Sequence, residues 1–242
     1  MQALILCGGM GERLRPLTQD RPKPMLEING RPLLELIIEH LKKFGVTNIV
    51  LLCGYKHELI EEHFGDGSGF GVSILYSVEK EKLGTGGAVH NARKFVKEDF
   101  IVINGDLITN FPLDNFLEIF RKSGKNLMLL VRPNNPFGVA KIRQIDDKTC
   151  KIERFEEKPM MNEWINGGYI ALKLSTLELF PERGAAERIV YPKLQENGEL
   201  LGYLVGDKYF WKSIDSIKDW KEIQTAGVPK PGLRGRLQEP VA

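Results

Sequence analysis

Three glycines near the amino terminus, Gly8, Gly9 and Gly11, follow a short apolar run and precede a group of basic residues. Glycines let the backbone turn tightly and point several N–H groups into one concavity, which is a common way of holding phosphate. Two familiar phosphate loops are excluded. A dinucleotide fingerprint needs a third glycine where Leu14 stands, and a Walker loop needs glycine and lysine where Arg13 and Leu14 stand. We therefore expect a phosphate loop of another kind.

Basic residues interleaved with prolines follow this loop. The cations are Arg13, Arg15, Arg21 and Lys23, and the prolines are Pro16, Pro22 and Pro24. Prolines limit the freedom of the loop, so that its cations can be positioned for a polyphosphate at a smaller entropy cost. A charge run on its own is more often a solvated surface loop. Because this one follows a glycine loop at the end of a predicted strand, where open α/β sheets bind ligands, we favour phosphate binding.

A carboxylate stands at the end of another predicted buried strand. The apolar run at 100–103 leads through Asn104 and Gly105 to Asp106. Magnesium is usually held by one or two carboxylates, with phosphate oxygens and water completing its coordination. The alternative is an aspartate that only shapes the turn. Because this strand end should face the same crevice as the glycine loop, we interpret Asp106 as a magnesium ligand.

The elements that position these residues alternate regularly through the first hundred residues. Apolar runs predict buried strands at 2–7, 48–53, 72–77 and 100–103, and helical spacing of apolar residues predicts a helix after each of the first three. Thr85 is interpreted as the cap of the third helix. The alternation predicts a Rossmann-like α/β fold, with a mainly parallel central sheet flanked by helices on both faces.

Beyond Asp106 the predicted strands crowd together. They lie at 127–131, 138–143, 150–156 and 165–172, after a helix at 113–120. We interpret the last three of these strands as a small mixed-sheet extension over one end of the parallel sheet. Further elements are helices near 174–180 and 186–195, and strands near 200–205 and 209–214. Ser216 and Asp219 predict a capping box for a last helix.

Length and composition set the remaining limits. The chain has 242 residues, and we expect one domain at 1–226 followed by a flexible glycine- and proline-containing tail at 227–242. The 34 basic and 32 acidic side chains leave a net charge of +2, which argues against a nucleic-acid partner. We find neither an apolar run long enough to cross a membrane nor a secretory signal, so the expected location is the cytoplasm. Cys7, Cys53 and Cys150 have no spacing typical of a zinc site or disulfide framework.

The run from Gly8 to Met25 resembles the signature of the sugar nucleotidyltransferases. The shared residues are Gly8, Gly9, Gly11, Arg13, Leu14, Pro16, Leu17, Thr18, Lys23 and Pro24. Further matches follow in the family's order at 64–76, 83–87, 105–106, 137–139, 157–159 and 166–169. The resemblance implies a magnesium-dependent enzyme that joins a sugar 1-phosphate to the α-phosphorus of a nucleoside triphosphate and releases pyrophosphate.

Roles for individual residues follow from this resemblance. Arg13, with its planar fork of donors, suits the pyrophosphate, Lys23 suits the α-phosphate, and Asp106 is the catalytic metal ligand. The residues expected to contact the nucleotide are Leu6, Gly8, Gly9, Gly11, Glu79, Gly84 and Thr85. The residues expected to contact the sugar phosphate lie in the predicted extension and are Gly138, Glu157, Lys158 and Asn166. Without the motif, Glu157 would be interpreted as pairing with a neighbouring lysine.

The second metal-binding aspartate departs from the usual family pattern. Most members place it two residues after a tryptophan, and the position two residues after Trp211 is Ser213. Asp215 lies two residues further on, in a form that resembles the cytidylyltransferase branch. We assign the second magnesium ligand to Asp215.

Glu79 bears on the choice of base. An ionised glutamate only accepts hydrogen bonds, and guanine presents two adjacent donors, whereas uracil needs a residue that also donates. This favours GTP, and 83–87 resembles guanylyl members acting on mannose or heptose 1-phosphates, unless Glu81 faces the base instead. A uridylyl-, thymidylyl- or cytidylyltransferase acting on glucose 1-phosphate or a related sugar is the alternative.

No general base is expected in the reaction. A phosphate monoester is already an anion near pH 7, since its second pKa is about 6. The four histidines, His40, His57, His63 and His90, are interpreted as surface residues.

Other function classes are less favoured. A catalytically silent regulatory subunit of the same fold would lack the charged residues that are present here, although the displaced Asp215 is compatible with it. The missing third glycine argues against a nicotinamide dehydrogenase, and the length and the lack of repeats exclude a fused acyltransferase. Self-association is left open, and no membrane partner is expected.

Overall fold

The computed structural model describes residues 1–206 and 208–227. Its strands are β1 Gln2–Cys7, β2 Glu27–Ile28, β3 Arg31–Pro32, β4 Asn48–Cys53, β5 Ser73–Val78, β6 Phe100–Asn104, β7 Leu107–Thr109, β8 Asn126–Val131, β9 Val139–Gln144, β10 Cys150–Glu156, β11 Ile165–Leu172, β12 Leu200–Leu204 and β13 Trp211–Ser213. Its α-helices are α1 Leu33–Lys43, α2 His57–Phe64, α3 Gly84–Asn91, α4 Leu113–Ser123, α5 Ala186–Glu196 and α6 Ile217–Ala226. The predicted tail at 227–242 lies, after Gly227, outside the described residues.

The central sheet has seven strands in the order β12-β8-β11-β6-β1-β4-β5. Strand β1 runs parallel to both β4 and β6, and β4 runs parallel to β5. Strand β11 is antiparallel to its neighbours β6 and β8. The predicted Rossmann-like α/β fold with a mainly parallel sheet is confirmed. No helix within the described residues is both long enough and apolar enough to span a membrane.

Both faces of the sheet are covered, which explains the uninterrupted apolar strands. Along β1, Ala3 and Ile5 enter a core with α1, α2, α4 and α6, whereas Leu4 enters a second core with α3 and α5. Successive side chains of a strand point to opposite faces, so a strand buried on both faces must be apolar throughout. The sheet is thereby fixed between two helical layers.

The predicted mixed-sheet extension differs from the observed arrangement. It contains two strands rather than three, because β11 lies inside the central sheet, while β9 and β10 form a separate antiparallel hairpin. The reason is composition. Strand β11 is buried from Gly167 onward, whereas Lys141, Arg143, Lys151 and Arg154 make the hairpin unsuitable for an interior position.

Thr85 does not cap α3 as predicted. The residue before the helix is Leu83, and Gly84 adopts φ +80°, so the helix begins one residue earlier than the Thr85 prediction requires. The Thr85 hydroxyl instead accepts a hydrogen bond from the backbone N–H of Ala186, at the start of α5 (2.9 Å). The threonine therefore stabilises the beginning of another helix, one hundred residues away along the chain.

The capping box of the last helix is present as predicted. The Ser216 hydroxyl accepts from the Asp219 N–H (3.2 Å), and the Asp219 carboxylate accepts from the Ser216 N–H (2.9 Å). Helix α6 is also tied to the amino-terminal part of the chain, because the Trp220 indole donates to the Glu27 carbonyl (2.9 Å). These contacts hold the turn that precedes α6.

His40 is partly buried, with its Nε2 atom inaccessible to solvent, contrary to the prediction that all four histidines lie at the surface. Its ring packs 5.3 Å from Phe44, 5.7 Å from Phe111 and 6.3 Å from Tyr169 between centroids. Burial, with a smaller effect of Lys43, lowers the pKa of His40 to about 4. Because His40 is flanked on α1 by Ile37 and Leu41, it borders the apolar stripe of that helix and packs at the edge of the core.

Candidate active site

The floor of the site is made by the ends of three parallel strands. The register pairs Cys7 with Cys53 and Leu6 with Asn104, so β1, β4 and β6 end at the same level. Each is followed by a glycine. At Gly105 a Cβ atom would lie 2.4 Å from the Leu6 carbonyl oxygen, a distance that no side chain tolerates. Glycine at this position therefore allows the chain carrying Asp106 to pass directly beside β1.

The glycine loop after β1 has a fixed conformation. Gly11 adopts φ +62°, and its carbonyl accepts hydrogen bonds from the Thr18 hydroxyl (2.7 Å) and the Leu14 N–H (2.9 Å). The turn buries Leu14 at 1% exposure, and the neighbouring Arg13 remains exposed. The apolar anchor thus sets the position of the cation beside it.

A second set of contacts holds the remainder of the basic loop. The Tyr55 hydroxyl donates to the Gln19 carbonyl (2.8 Å), and the Lys56 ammonium donates to the same oxygen (3.0 Å). Arg21 faces away from the site and pairs with Glu27 at the surface (3.2 Å). Of the four cations considered in the sequence, Arg13 and Lys23 line the cavity, and Arg15 and Arg21 do not.

The strand ends and the loop enclose a cavity of about 730 Å³. This volume is in the range of sites for small molecules and cofactors. It brings together the predicted catalytic, nucleotide and metal residues, namely Leu6, Gly8, Gly9, Gly11, Arg13, Lys23, Glu79, Gly84, Thr85, Asp106 and Asp215. These residues come from distant parts of the chain and lie together in one crevice at the carboxyl edge of the sheet.

Two carboxylates and one ammonium group form a charged cluster in the cavity. The Lys23 Nζ lies 2.7 Å from Asp106 Oδ2 and 3.0 Å from Asp215 Oδ1. The Lys23 side chain is only 13% exposed. Asp215 reaches this position because the Ile214 N–H donates to the Asp106 carbonyl (3.0 Å), which aligns the two segments.

Ser213 orients the second carboxylate. Its hydroxyl donates to Asp215 Oδ2, the oxygen that Lys23 does not contact. Burial alone would raise the pKa of Asp215, but the Ser213 hydrogen bond and the charge of Lys23 outweigh burial and hold this pKa below its ordinary value. Asp215 is therefore kept ionised.

The cluster suits a hard divalent cation. Asp106 Oδ1 is buried and has no hydrogen-bond partner among the described residues, so one lone pair of a carboxylate remains available beside a second carboxylate. No group of three or more histidine, cysteine or acidic side chains suited to a metal occurs in the described part of the chain. Magnesium commonly takes one or two carboxylates and completes its shell with phosphate and water, so the donor set fits magnesium.

Glu79 lies over the glycine floor. A Cβ added at Gly8 would approach Glu79 Oε1 to 2.7 Å, and Glu79 Oε2 accepts from the Leu83 N–H (3.3 Å). Burial raises the pKa of Glu79, and the Leu83 N–H and Lys82 offset only part of that effect. Glu81, the alternative base contact, also lines the cavity, but it is exposed and pairs with Arg183 (2.7 Å). The geometry favours Glu79 as the carboxylate that faces a ligand.

Sequence reasoning missed Glu187, which lines the same cavity from the first turn of α5. The Thr85 hydroxyl donates to Glu187 Oε2 (2.5 Å). The two segments are joined because the Gly86 N–H donates to the Gly184 carbonyl (2.8 Å) and the Gly184 N–H donates to the Leu83 carbonyl (2.8 Å). Nothing local in the sequence signals this contact, because its partners are a hundred residues apart.

The predicted sugar-phosphate residues lie outside the residues that line the cavity. Gly138 and Glu157 face each other at the base of the β9–β10 hairpin. Lys158 adopts φ +47°, is 45% exposed and lies 3.8 Å from Glu157. Asn166 accepts from the Gly168 N–H (2.8 Å), next to the cavity residue Asn104. Their role in binding sugar phosphate stays a prediction.

Comparison with known proteins agrees with this geometry. The chain is 41% identical over 199 residues to the D-glycero-α-D-manno-heptose 1-phosphate guanylyltransferase of Campylobacter jejuni, covering 81% of this chain and 86% of that protein. It is 32% identical over 249 residues to the mannose-1-phosphate guanylyltransferase of Mycobacterium tuberculosis, covering 99% of this chain and 69% of that protein.

A solved structure shares the fold. It is that of HddC from Yersinia pseudotuberculosis complexed with GMP-PN, which matches with a TM-score of 0.72 and 28% identity over 93% of this chain and 98% of that one. The family model described as nucleotidyl transferase matches residues 2–226. The resemblance inferred from the glycine loop and its cations is confirmed, and the chain belongs to the nucleotidyl transferase family.

Proposed function

We propose that this chain is a guanylyltransferase that converts GTP and a mannose or heptose 1-phosphate into a GDP-sugar and pyrophosphate. The observation that carries the proposal is the convergence of Arg13, Lys23, Asp106 and Asp215 on one cavity beneath a glycine loop. The names of the Campylobacter and Mycobacterium relatives support the same assignment.

The reaction is a displacement at the α-phosphorus. A phosphate oxygen of the sugar 1-phosphate forms a bond to this phosphorus, and the bond from the α-phosphorus to the bridging oxygen of the β-phosphate breaks. Pyrophosphate leaves with the electron pair. The attacking oxygen is already anionic, so no side chain needs to remove a proton. This agrees with a cavity in which no histidine of the described chain is a lining residue.

The residues of this chain act by holding anions together. Arg13, exposed at the mouth of the glycine loop, binds the β- and γ-phosphates as they become pyrophosphate, and Lys23 binds the α-phosphate. Asp106 and Asp215 would hold magnesium, which supplies neutralisation of phosphate charge when it is bound. Glu157, Lys158, Asn166 and Gly138 would bind the sugar phosphate at the base of the hairpin.

Base selection is assigned to Glu79. An ionised carboxylate there can accept from the N1–H and the amino group of guanine, whereas uracil would bring a carbonyl oxygen against it. We expect Glu79→Gln to lower the ratio of GTP to UTP turnover by about tenfold, since one hydrogen bond to a charged group is worth that much. Glu81→Gln, which alters the exposed neighbour paired with Arg183, is the matched control and should leave the ratio unchanged. An unchanged ratio in the Glu79 variant would remove this residue from base selection.

The decisive experiment is pyrophosphate release over a grid of four nucleoside triphosphates and several sugar 1-phosphates. We expect the highest kcat/KM with GTP and either mannose or heptose 1-phosphate. A maximum with another triphosphate would overturn the guanylyl assignment but keep the reaction class.

The grid also tests the silent regulatory alternative. Nucleotide binding without release of pyrophosphate in any combination would favour that alternative. The proximity of Asp215 to Asp106 argues against it, since the displaced aspartate was the one feature compatible with a silent protein.

A further inference from the structure

Lys23 occupies the space between the two carboxylates that would hold the metal. Its ammonium contacts Asp106 Oδ2 and Asp215 Oδ1, while the Ser213 hydroxyl contacts Asp215 Oδ2. Of the four carboxylate oxygens, Asp106 Oδ1 alone has no hydrogen-bond partner within the described residues. A cation that entered this cluster would therefore find three of the four oxygens already accepting hydrogen bonds from Lys23 or Ser213.

The ammonium group and a divalent cation compete for the same charges. Two carboxylates this close to each other are unfavourable without a cation, and Lys23 supplies one positive charge against their two negative charges. Because the Lys23 side chain is 13% exposed, water screens this interaction only in part. Adding a divalent ion while the ammonium stays would place two cations at the same oxygens, which costs most of the attraction.

The geometry of the loop lets the side chain move while the backbone stays in place. Lys23 begins a 3-10 turn held by hydrogen bonds from the Met25 N–H to the Pro22 carbonyl (2.9 Å) and from the Leu26 N–H to the Lys23 carbonyl (3.0 Å). The four-carbon stem of lysine can redirect its ammonium without changing these contacts.

We propose that Lys23 is the resident counter-ion of the carboxylate pair and that it exchanges with the divalent cation. In the free enzyme the ammonium neutralises Asp106 and Asp215 and keeps metal affinity low. When the triphosphate arrives, its α-phosphate attracts the ammonium away, and the carboxylates become available to the metal. Metal and triphosphate then bind with positive coupling. This inference rests on the proposed function, because it uses the same metal ligands and the same α-phosphate contact.

The test is Mn²⁺ binding to the nucleotide-free protein, measured by electron paramagnetic resonance. Lys23→Met keeps an unbranched side chain that is one atom shorter and removes the charge. We expect it to bind Mn²⁺ at least tenfold more tightly than the wild type. Its melting temperature should be lower without metal and should recover in Mg²⁺, whereas the wild type should respond little to Mg²⁺.

Two controls separate the exchange from general electrostatics. Arg21→Met removes a positive charge from the same loop at a residue that pairs with Glu27 outside the cavity, and it should leave Mn²⁺ affinity unchanged. Asp106→Asn added to Lys23→Met should abolish the gain in affinity. If Lys23→Met fails to fold, Lys23→Gln replaces it with the same expectation.

The outcomes distinguish this inference from the function on which it rests. If Lys23→Met binds Mn²⁺ no more tightly than the wild type, or if its gain survives Asp106→Asn, the exchange is overturned. Pyrophosphate release by the wild-type enzyme is measured separately, so the proposed function can stand after the exchange fails. If Lys23→Met and Arg21→Met gain the same Mn²⁺ affinity, the exchange is also overturned, since the change in net charge alone would then explain the gain.

Discussion

The nucleotide side of the molecule and the β9–β10 hairpin are built in opposite ways. On the nucleotide side, the site residues follow buried parallel strands, and their backbones are fixed by contacts such as the one between Gly105 N–H and the Leu6 carbonyl (3.0 Å). On the hairpin, Ile142 is 55% exposed, Ile152 60% and Phe155 63%. An isolated two-stranded hairpin is only marginally stable in water. The proposed phosphate site is therefore preorganised, whereas the expected sugar contacts depend on a segment without its own core.

Removal of the Asp106 carboxylate is the sharpest way to test the preorganised side. We expect Asp106→Asn to lower kcat by on the order of 100- to 1000-fold, because the variant loses a carboxylate that would hold magnesium, the ion expected to balance the charge of the reacting phosphates. The melting temperature should change little, since Lys23 keeps Asp215 as a partner. Steady-state kinetics and circular dichroism check both. Asp147→Asn, in the exposed turn of the hairpin, is the matched control, and wild-type turnover by Asp106→Asn would refute the metal assignment.

Lys158 tests the hairpin side of the comparison. We expect Lys158→Ala to raise the KM for the sugar 1-phosphate by about 10- to 100-fold, the value of a hydrogen bond to a charged group, and to leave the KM for GTP unchanged. Lys151→Ala, on strand β10 of the same hairpin, should match the wild type in both constants. A parallel rise in both KM values for Lys158→Ala would show that the two sides are not separate.

The partly buried His40 makes the stability of the preorganised side sensitive to pH. The folded state lowers the pKa of His40 from 6.5 to about 4, so folding favours the neutral ring. Its contribution is complete above pH 6.5 and is lost as the pH falls towards 4, because the unfolded chain then takes up a proton that the folded chain does not. At pH 5 the loss amounts to about 2 kcal/mol in the free energy of unfolding.

Urea unfolding at pH 7.5 and pH 5 measures this contribution. Between pH 7.5 and pH 5, the free energy of unfolding should fall by about 2 kcal/mol less for His40→Leu than for the wild type. His63→Leu, which alters a histidine that is 37% exposed, should retain the wild-type dependence. Equal dependence in all three proteins would mean that His40 titrates freely in the folded state.

Ser213 is expected to give the smallest effect. The hydroxyl orients Asp215, so Ser213→Ala should raise the half-saturating Mg²⁺ concentration by about fivefold while kcat changes less. Ser213→Thr keeps the hydroxyl and should restore the Mg²⁺ dependence. A purely structural role predicts loss of melting temperature with an unchanged Mg²⁺ requirement, and that result would remove Ser213 as a positioning residue.

Those parts of the fold with local signals were predictable from the sequence. The strands that end at Cys7 and at Asn104 are apolar from Ala3 to Cys7 and from Phe100 to Ile103, since both of their faces are buried. Asp106 could be placed in the cavity because it directly follows such a strand. The signature from Gly8 to Met25 identified the family because all of its residues lie in one short stretch of the chain.

Features that depend on distant contacts were not predictable. The apolar run at 165–172 indicated a strand and is compatible with the interior of the central sheet, but its pairing with β6 and β8 depends on residues far away in the chain. Thr85 has the chemistry of a helix cap, and only the packing of Gly184 against α3 directs its hydroxyl towards α5. Glu187 enters the cavity through the same packing. His40 borders an apolar stripe, and its burial depends on Phe111 and Tyr169 from other elements.

The two donors on the Gln19 carbonyl have a consequence for variation at these positions. Tyr55 and Lys56 donate to a backbone carbonyl, which every amino acid possesses. These two hydrogen bonds therefore do not depend on the side chain of residue 19. Substitutions other than proline at position 19 should therefore keep both hydrogen bonds, since proline would remove the N–H that donates to the Pro16 carbonyl. Position 55 is restricted, because its hydroxyl must reach the Gln19 carbonyl from the turn that follows β4.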